Sequence, residues 1–437
     1  MQALNLISNP VSSIRGEITV PGDKSMSHRS IILGALAQGT TIVDGFLEGE
    51  DCLATLKAFR AMGVVIEGPD QQRIVIHGVG KNGLQKPQHI IDCGNSGTSI
   101  RLLAGLLAAQ QFDSELTGDE SLLQRPMLRV SKPLTAMGAH ISTCDGKPPI
   151  RIKGGASLRG IDYIMPEVSA QVKSCILLAS LYAQGQTCIT ETGISRDHTE
   201  RMLKTFSYPV ECKENRILIR GDAECTATEV HIPGDISSAA FFIVAATIIP
   251  GSDVLITNVG INPTRTGILH ILNEMGANIS IVNQRAYGEE PVADLRVKYA
   301  ALKGITIAQE LVPLAIDEFP IIFIAASCAQ GDTLLRGAKE LRLKESDRIG
   351  AMISGLQQLG IEAQGFEDGA LITGGSLQGG VIDSHGDHRI AMAFAVAGAV
   401  ASEPVLIKNC ANVATSFPDF TGTANKLHFS IEVKDNE

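Results

Sequence analysis

Nine residues, Pro21-Gly22-Asp23-Lys24-Ser25-Met26-Ser27-His28-Arg29, set a turn, a lysine, two serines and an arginine directly before the apolar run 30–37. Free amides and the positive dipole end make a helix start a place for an anion, and flanking cations add to it. Read alone, the same segment also fits a serine-capped helix with two solvated cations. Similar openings recur along the chain. Gly94-Asn95-Ser96-Gly97-Thr98-Ser99 precedes the apolar run 100–109 and combines close backbone access with donors suited to phosphate or carboxylate, beside a plain capping reading. Gln124-Arg125-Pro126, Ser169-Ala170-Gln171-Val172-Lys173-Ser174 and Ser195-Arg196-Asp197-His198-Thr199-Glu200 open further helices, and His198 reads as a capping or core histidine. In the second half Asp317-Glu318 stands before the apolar run 319–326. Arg342-Leu343-Lys344-Glu345-Ser346-Asp347-Arg348 is dense in both signs, as a solvated helix end with i,i+3 and i,i+4 pairs also would be. Gly386-Asp387-His388-Arg389 opens one more helix.

Lys24, Arg29, Arg125, Arg196, Lys344, Arg348 and Arg389 occupy equivalent helix-opening positions in successive copies of one unit. In a repeat architecture such positions converge on one face. Converging arginines and lysines suit small polyanions, since a guanidinium grips carboxylate or phosphate oxygens two at a time.

The unit itself is a buried helix, a strand, an amphipathic helix ending near glycine, and further strands. First helices are expected near Lys24, Asn95, Ser169, Asp235, Asp317 and Asp387, a spacing of roughly 65–80 residues that marks an internal repeat. Gly63, Gly138, Gly276 and Gly360 close four of the second helices, as a left-handed C-cap requires. Six mixed α and β units divide into three and three. Pro21-Gly22-Asp23-Lys24-Ser25 is echoed by Pro233-Gly234-Asp235-Ile236-Ser237, which places the boundary near Pro233. The expected domains are 22–234, and 1–21 plus 235–437, the early strand 14–20 pairing with the second half. Both halves supply cations and the second adds the carboxylates, so the site is expected in the cleft between them.

A chain of 437 residues exceeds one ordinary core, and two domains of about 200 residues each follow. A net charge of −10 argues against nucleic acid or an anionic membrane as partner. The nine scattered cysteines, without a CxxC pair or clustered histidines, favour reduced thiols in the cytoplasm over disulfides or a zinc site. No signal peptide is visible at the start. The apolar runs 239–249 and 390–400 are about half a membrane span and read as helices buried on all sides.

Together, PGDKSMSHR, GNSGTSIR, QRP, SAQVKS, RDHTERML, PGDISSA, RLKESDRI and GDHRIAMAF resemble, in order and over essentially the whole chain, the 5-enolpyruvylshikimate-3-phosphate synthase family. SAQVKS and RDHTERML are similar to the branch found in many bacteria. The resemblance implies an α/β fold of two inside-out α/β barrel domains, each of three βαβαββ repeats. It implies transfer of the enolpyruvyl group of phosphoenolpyruvate to the 5-hydroxyl of shikimate 3-phosphate, with release of phosphate, by a monomer that needs no metal or organic cofactor. Carried over by motif, Lys24, Ser25 and Arg29 would bind shikimate 3-phosphate, with Lys24 also touching phosphoenolpyruvate. Ser169, Ala170 and Arg196 would hold the shikimate phosphate. Gly97, Arg125, Gln171, Lys344, Arg348 and Arg389 would surround phosphoenolpyruvate. Asp317 would accept the hydroxyl proton and Glu345 would protonate the methylene carbon, with Lys24 as the third catalytic group. Thr415 stands where the other branch carries a lysine near the phosphoenolpyruvate phosphate. Two alternatives stand beside this reading: a UDP-N-acetylglucosamine enolpyruvyl transferase, and a non-catalytic polyanion-binding scaffold of the same fold.

Overall fold

The structure, a computed structural model, describes residues 4–435. The chain divides into two compact units. The first is Gly22–Ile232 with Tyr287–Glu290; the second is Met1–Pro21, Pro233–Ala286 and Pro291–Glu437.

Each unit is built on helices that carry no polar face. In the first unit Lys24–Leu36, Gly97–Leu107 and Ala170–Ser180 bury almost every residue beyond their first turn. In the second, Ile236–Ile248 and Phe319–Ser327 bury every residue, and His388–Gly398 all but Arg389. A helix apolar around its whole circumference can only sit inside a domain. Small residues let these helices approach closely. A Cβ added at Gly105 would lie 2.2 Å from the carbonyl oxygen of Cys175, so two of the central helices meet backbone to backbone. In the second unit Phe242 packs against Phe417, Phe420 and Phe429 with ring centroids about 6 Å apart, tying a central helix to the outer layer.

The second helix of each repeat is one-sided, and all six end alike. Gly63, Gly138, Ser207, Gly276, Gly360 and His428 each take positive φ one residue past the cap. In every case the next N–H reaches back to the carbonyl five residues before it: Val64 to Phe59, Ala139 to Leu134, Tyr208 to Leu203, Ala277 to Leu272, Ile361 to Leu356 and Phe429 to Ala424. This doubly bonded left-handed cap satisfies carbonyls that the helix end leaves open, and the residue after it is apolar each time.

Among the described residues six sheets, three per unit, lie over the central helices. In five of them a parallel pair is extended by two further strands; the sixth, Asp332–Leu335, Gly369–Thr373 and Ala363–Phe366, is antiparallel throughout. In the first unit Asp162–Ile164 runs parallel to Gln186–Thr190, which pairs antiparallel with Arg216–Arg220 and that with Val210–Lys213. In the second unit Gly380–Asp383 runs parallel to Val405–Lys408, which pairs antiparallel with Leu4–Asn9 and that with Ser430–Asp435. Arg15–Thr19 likewise runs parallel to Asp253–Gly260. Side chains alternate as a half-buried strand demands; Ile217 and Ile219 face the helices while Arg216 and Arg220 face out. The architecture is therefore α/β with helices inside and sheets outside. Among the described residues the sheets remain separate, and none closes into a continuous barrel. No described helix is long and apolar enough to cross a membrane.

Candidate functional site

In the first unit the helix starts gather cations and hydroxyls. Asp23 caps Lys24–Leu36 by accepting the Met26 N–H at 2.8 Å. Lys24, in the first turn, places its Nζ 2.5 Å from Oδ2 of Asp51, which comes from the first turn of the helix Glu50–Ala61. Arg29, one turn on, is only 5% exposed. It donates to the Ser25 carbonyl at 2.9 Å, to Thr199 Oγ1 at 2.6 Å and to Ser174 Oγ at 2.7 Å. Those bonds make it a bolt between three helices.

Ser96 caps Gly97–Leu107 through the Ser99 N–H. A Cβ at Gly97 would meet Nη1 of Arg101 and Nη1 of Arg125, each at 2.9 Å, so any side chain there would strike two guanidinium groups. Arg125 is oriented by Asn95 Oδ1 at 2.8 Å, and Asn95 in turn donates to Asp119 at 2.7 Å. Arg101 donates to Gln171 Oε1, and Gln171 donates to Thr98 Oγ1 at 2.9 Å. Ser169 caps Ala170–Ser180, and Arg196 stands half-buried on the loop before His198–Thr205. Behind them His28 begins a buried chain of hydroxyls: Nδ1 to Thr55 Oγ1 at 2.8 Å, Thr55 to Ser99 at 2.7 Å, Ser99 to Ser96 at 2.7 Å. Burial, and then the charges of Lys24 and Arg29, hold the His28 pKa well below the usual histidine value, so the ring stays neutral. His198 is a core histidine, 1% exposed.

The second unit gathers carboxylates with its cations. Asp317 Oδ1 lies 3.3 Å from Lys344 Nζ and 3.4 Å from Arg348 Nη1, while the Asp317 carbonyl accepts from Arg389 Nη1 at 3.0 Å. Glu345 Oε2 is 2.6 Å from Arg348 Nη2. Arg348, 1% exposed, also donates from Nε to Asp387 Oδ2 at 2.8 Å. Burial works to raise the Asp387 pKa, yet the Arg348 guanidinium prevails and holds it below the usual carboxylate range. Burial disfavours the Arg348 charge as well, and Asp387 and then Glu345 more than offset it. Asp387 also caps His388–Gly398 through the Arg389 N–H and accepts from Ser346. Behind Asp317, Arg265 bridges Asp235 at 2.8 Å and Ser237 at 2.7 Å, and Ser237 donates to the buried Glu318. Thr415 turns its hydroxyl to the Asn412 carbonyl at 2.7 Å, within its own turn.

The expected residues thus fall into two sets. Lys24, Ser25, Gly97, Arg125, Ser169, Ala170, Gln171 and Arg196 stand at or just ahead of helix starts in the first unit, with Arg29 set deeper. Asp317, Lys344, Glu345, Arg348 and Arg389 form one connected cluster in the second. Three participants carry no role in the sequence reading: Asp51, Arg101 and Asp387. Arg101 had a signal, a lone arginine inside the otherwise apolar run 100–109. Asp51 had none, because its partner Lys24 is remote in sequence. The first set can hold polyanions; the second can hold an anion and also move protons.

The family model described as EPSP synthase (3-phosphoshikimate 1-carboxyvinyltransferase) matches residues 8–423. A 3-phosphoshikimate 1-carboxyvinyltransferase of Legionella pneumophila (strain Philadelphia 1) is 73% identical over 98% of this chain and 99% of its own. One from Methylococcus capsulatus (strain Bath) is 60% identical, covering 98% of both chains. Among solved structures, EPSP synthase from Acinetobacter baumannii superposes with a TM-score of 0.90 at 53% identity, over 99% of this chain and all of that one. The enolpyruvyl transferase NikO from Streptomyces tendae reaches a TM-score of 0.82 at 14% identity with full coverage of both, a likeness of fold alone.

Proposed function

This chain belongs to the EPSP synthase family, and from that premise we propose how its residues divide the work of a 3-phosphoshikimate 1-carboxyvinyltransferase. The enzyme moves the enolpyruvyl group of phosphoenolpyruvate to the 5-hydroxyl of shikimate 3-phosphate and releases phosphate. The observation that carries the division is the Asp317–Arg348–Glu345 arrangement: two carboxylates held on one buried guanidinium, with Lys344 beside the first.

In this scheme Asp317 takes the proton of the 5-hydroxyl as its oxygen attacks C2 of phosphoenolpyruvate. Glu345 delivers a proton to C3, so the double bond becomes a methyl group and a tetrahedral adduct forms. Glu345, now a carboxylate, takes a proton back from the methyl group, the C2–O bond to phosphate breaks with its electron pair leaving on phosphate, and the double bond is restored on the product. Acid and base act on neighbouring atoms of one adduct, which is general acid–base catalysis with proximity supplying much of the remainder.

Binding falls chiefly to the cations. Each phosphate carries about −1.5 to −2 at neutral pH, and each substrate adds a carboxylate. Lys24, Ser25 and Arg29 serve shikimate 3-phosphate, with Arg29 acting through the helix starts it joins. Ser169, Ala170 and Arg196 hold its phosphate. Gly97, Arg125, Gln171, Lys344, Arg348 and Arg389 serve phosphoenolpyruvate, the methyl-free Gly97 leaving room between Arg101 and Arg125. Lys24 serves both substrates, and the scheme needs groups from both units. No metal or organic cofactor enters it.

Monomeric operation in the cytoplasm belongs to the same reading; the nine free thiols support the compartment. The family match and the named relatives give no support to the UDP-N-acetylglucosamine or scaffold alternatives. One assay separates them: phosphate release from phosphoenolpyruvate with each acceptor offered alone. Release with shikimate 3-phosphate only is expected; release with the UDP-sugar, or with neither, overturns the reading.

A further inference from the structure

Lys173 is a buried cation that the transfer scheme leaves unused. It lies in the first turn of Ala170–Ser180 with 1% of its side chain exposed. Its Nζ sits 2.7 Å from Glu200 Oε1 and 3.1 Å from Glu191 Oε2. An ammonium loses several kcal/mol on leaving water, so a lysine stays charged there only through close partners. Burial acts to lower the Lys173 pKa, and Glu200 and Glu191 together more than reverse it. Burial pushes the Glu200 pKa up, against the lowering pull of the Lys173 ammonium beside it.

The placement of the two acids matters more than their charge. Glu191 directly follows the strand Gln186–Thr190, and Glu200 lies in the first turn of His198–Thr205. Residues 192–197 between them form the loop that carries Arg196. Ser195, the neighbour of Arg196, donates its hydroxyl to Glu191 Oε1 at 2.5 Å. Ser174 and Thr199, the residues next to Lys173 and Glu200, share a hydroxyl bond of 2.7 Å. Glu191 is fixed from the other side by Asn215, through its N–H at 2.8 Å and its carbonyl at 3.0 Å. Both ends and the middle of the loop are thus tied to the helix start that presents Ser169, Ala170 and Gln171.

We propose that Lys173 is a positioning residue that clamps the 191–200 segment, so that Arg196 is preset for the 3-phosphate and the enzyme prefers the phosphorylated acceptor. The inference rests on the reading that Arg196 meets that phosphate. Presetting a long cationic side chain and its loop removes ordering cost from binding, and only a ligand that uses the guanidinium gains from it.

The test is calorimetric binding of shikimate 3-phosphate and of shikimate to the full chain. Lys173→Met combined with Glu200→Gln removes the clamp and leaves one carboxylate, Glu191, which is part-exposed and still accepts from Ser195. Ser195→Ala removes only the mid-loop bond. The double variant should lose at least about tenfold in affinity for shikimate 3-phosphate, about 1.4 kcal/mol, and Ser195→Ala a smaller factor. Shikimate should bind each variant as it binds the parent. Equal weakening of both ligands would mark a merely structural role and overturn the proposal, as would unchanged affinity for the phosphorylated one. If the double variant fails to fold, Ser195→Ala decides. Arg196→Ala separates the two layers. If it keeps the phosphate preference, the phosphate reading falls and the clamp with it. If it loses the preference while the Lys173 and Ser195 variants keep it, only the clamp falls.

Discussion

The two units place polar groups at the same points of the same repeat and arrive at different electrostatics. In the first, Arg101 and Arg125 donate to the side-chain amides of Gln171 and Asn95, and Asp51 is the acid paired with Lys24. In the second, Lys344, Arg348 and Arg389 face Asp317, Glu345 and Asp387. An excess of cations can bind anions but has little with which to move a proton at neutral pH. A balanced cluster holds charge in place and can offer carboxylates for proton transfer. The two units share one frame, and the proposed scheme gives binding and proton transfer to the side chains at different helix starts.

The contrast is broken most severely at Asp387. Asp387→Asn takes from Arg348 its most buried partner, and removing one member of a buried pair costs about 3–5 kcal/mol. Urea unfolding of the purified variant measures this, and a loss below about 1 kcal/mol would contradict the role given to the pair. The acid side has a definite sign. The Asp387 pKa is lowered in the fold, so its contribution is complete above the ordinary carboxylate value near 4 and drains away as pH falls through the folded value. The parent should therefore lose stability more steeply below about pH 4 than the asparagine variant.

Asp317→Asn tests the proton-moving side with its shape kept. Turnover should fall at least about 100-fold, the ordinary worth of a positioned base, while shikimate 3-phosphate still binds in a calorimeter. Near-normal turnover removes Asp317 from the role. On the binding side, Lys24→Met should raise the phosphoenolpyruvate KM and lower kcat together, each by about tenfold, because its charge serves both substrates. Arg125→Ala should raise KM alone. Unchanged phosphoenolpyruvate affinity in both variants would place the anion pocket elsewhere.

The smallest effect sharpens the likeness of the units. Each has one second helix whose left-handed cap lacks glycine: Ser207 in the first and His428 in the second. Ser207→Gly and His428→Gly should each stabilise by up to about 1 kcal/mol, and Gly276→Ala should cost about as much, read as shifts in thermal midpoint. Opposite signs at Ser207 and His428 would show that the caps are not equivalent.

Those caps also show where sequence reading stops. The six-fold repeat is legible because apolar helices and glycine-ended helices leave marks in the chain. Ser207 and His428 hide two of the six ends, since left-handed geometry there is imposed by packing rather than by glycine. Helix-start positions were legible where they coincide with a motif, as at Lys24, Gly97 and Arg348. Arg29 shows the limit: its type and spacing suggest an anion contact, while its bonds to Ser174 and Thr199 depend on helices that follow more than a hundred residues later. Lys173 and Glu200 lie inside recognisable motifs, but their pairing appears only once two helices are packed together.

The strand Leu4–Asn9 has a consequence for the growing chain. It is made long before the two strands between which it lies, Val405–Lys408 and Ser430–Asp435. At about 5–20 residues per second, its partners leave the ribosome roughly 20–80 seconds later. For that interval Leu4–Asn9 carries two β-edges with nothing to pair, the condition in which nascent chains misassociate. Gly22–Ile232 can meanwhile complete most of its own contacts, so a segment made ahead of that unit belongs to the one finished after it. Leu4 and Asp435 face each other in register. A short linker between those edges, with a new start near Pro233, would let the second unit emerge as one continuous stretch, and the yield of soluble protein from such a permuted gene measures what the wait costs the cell.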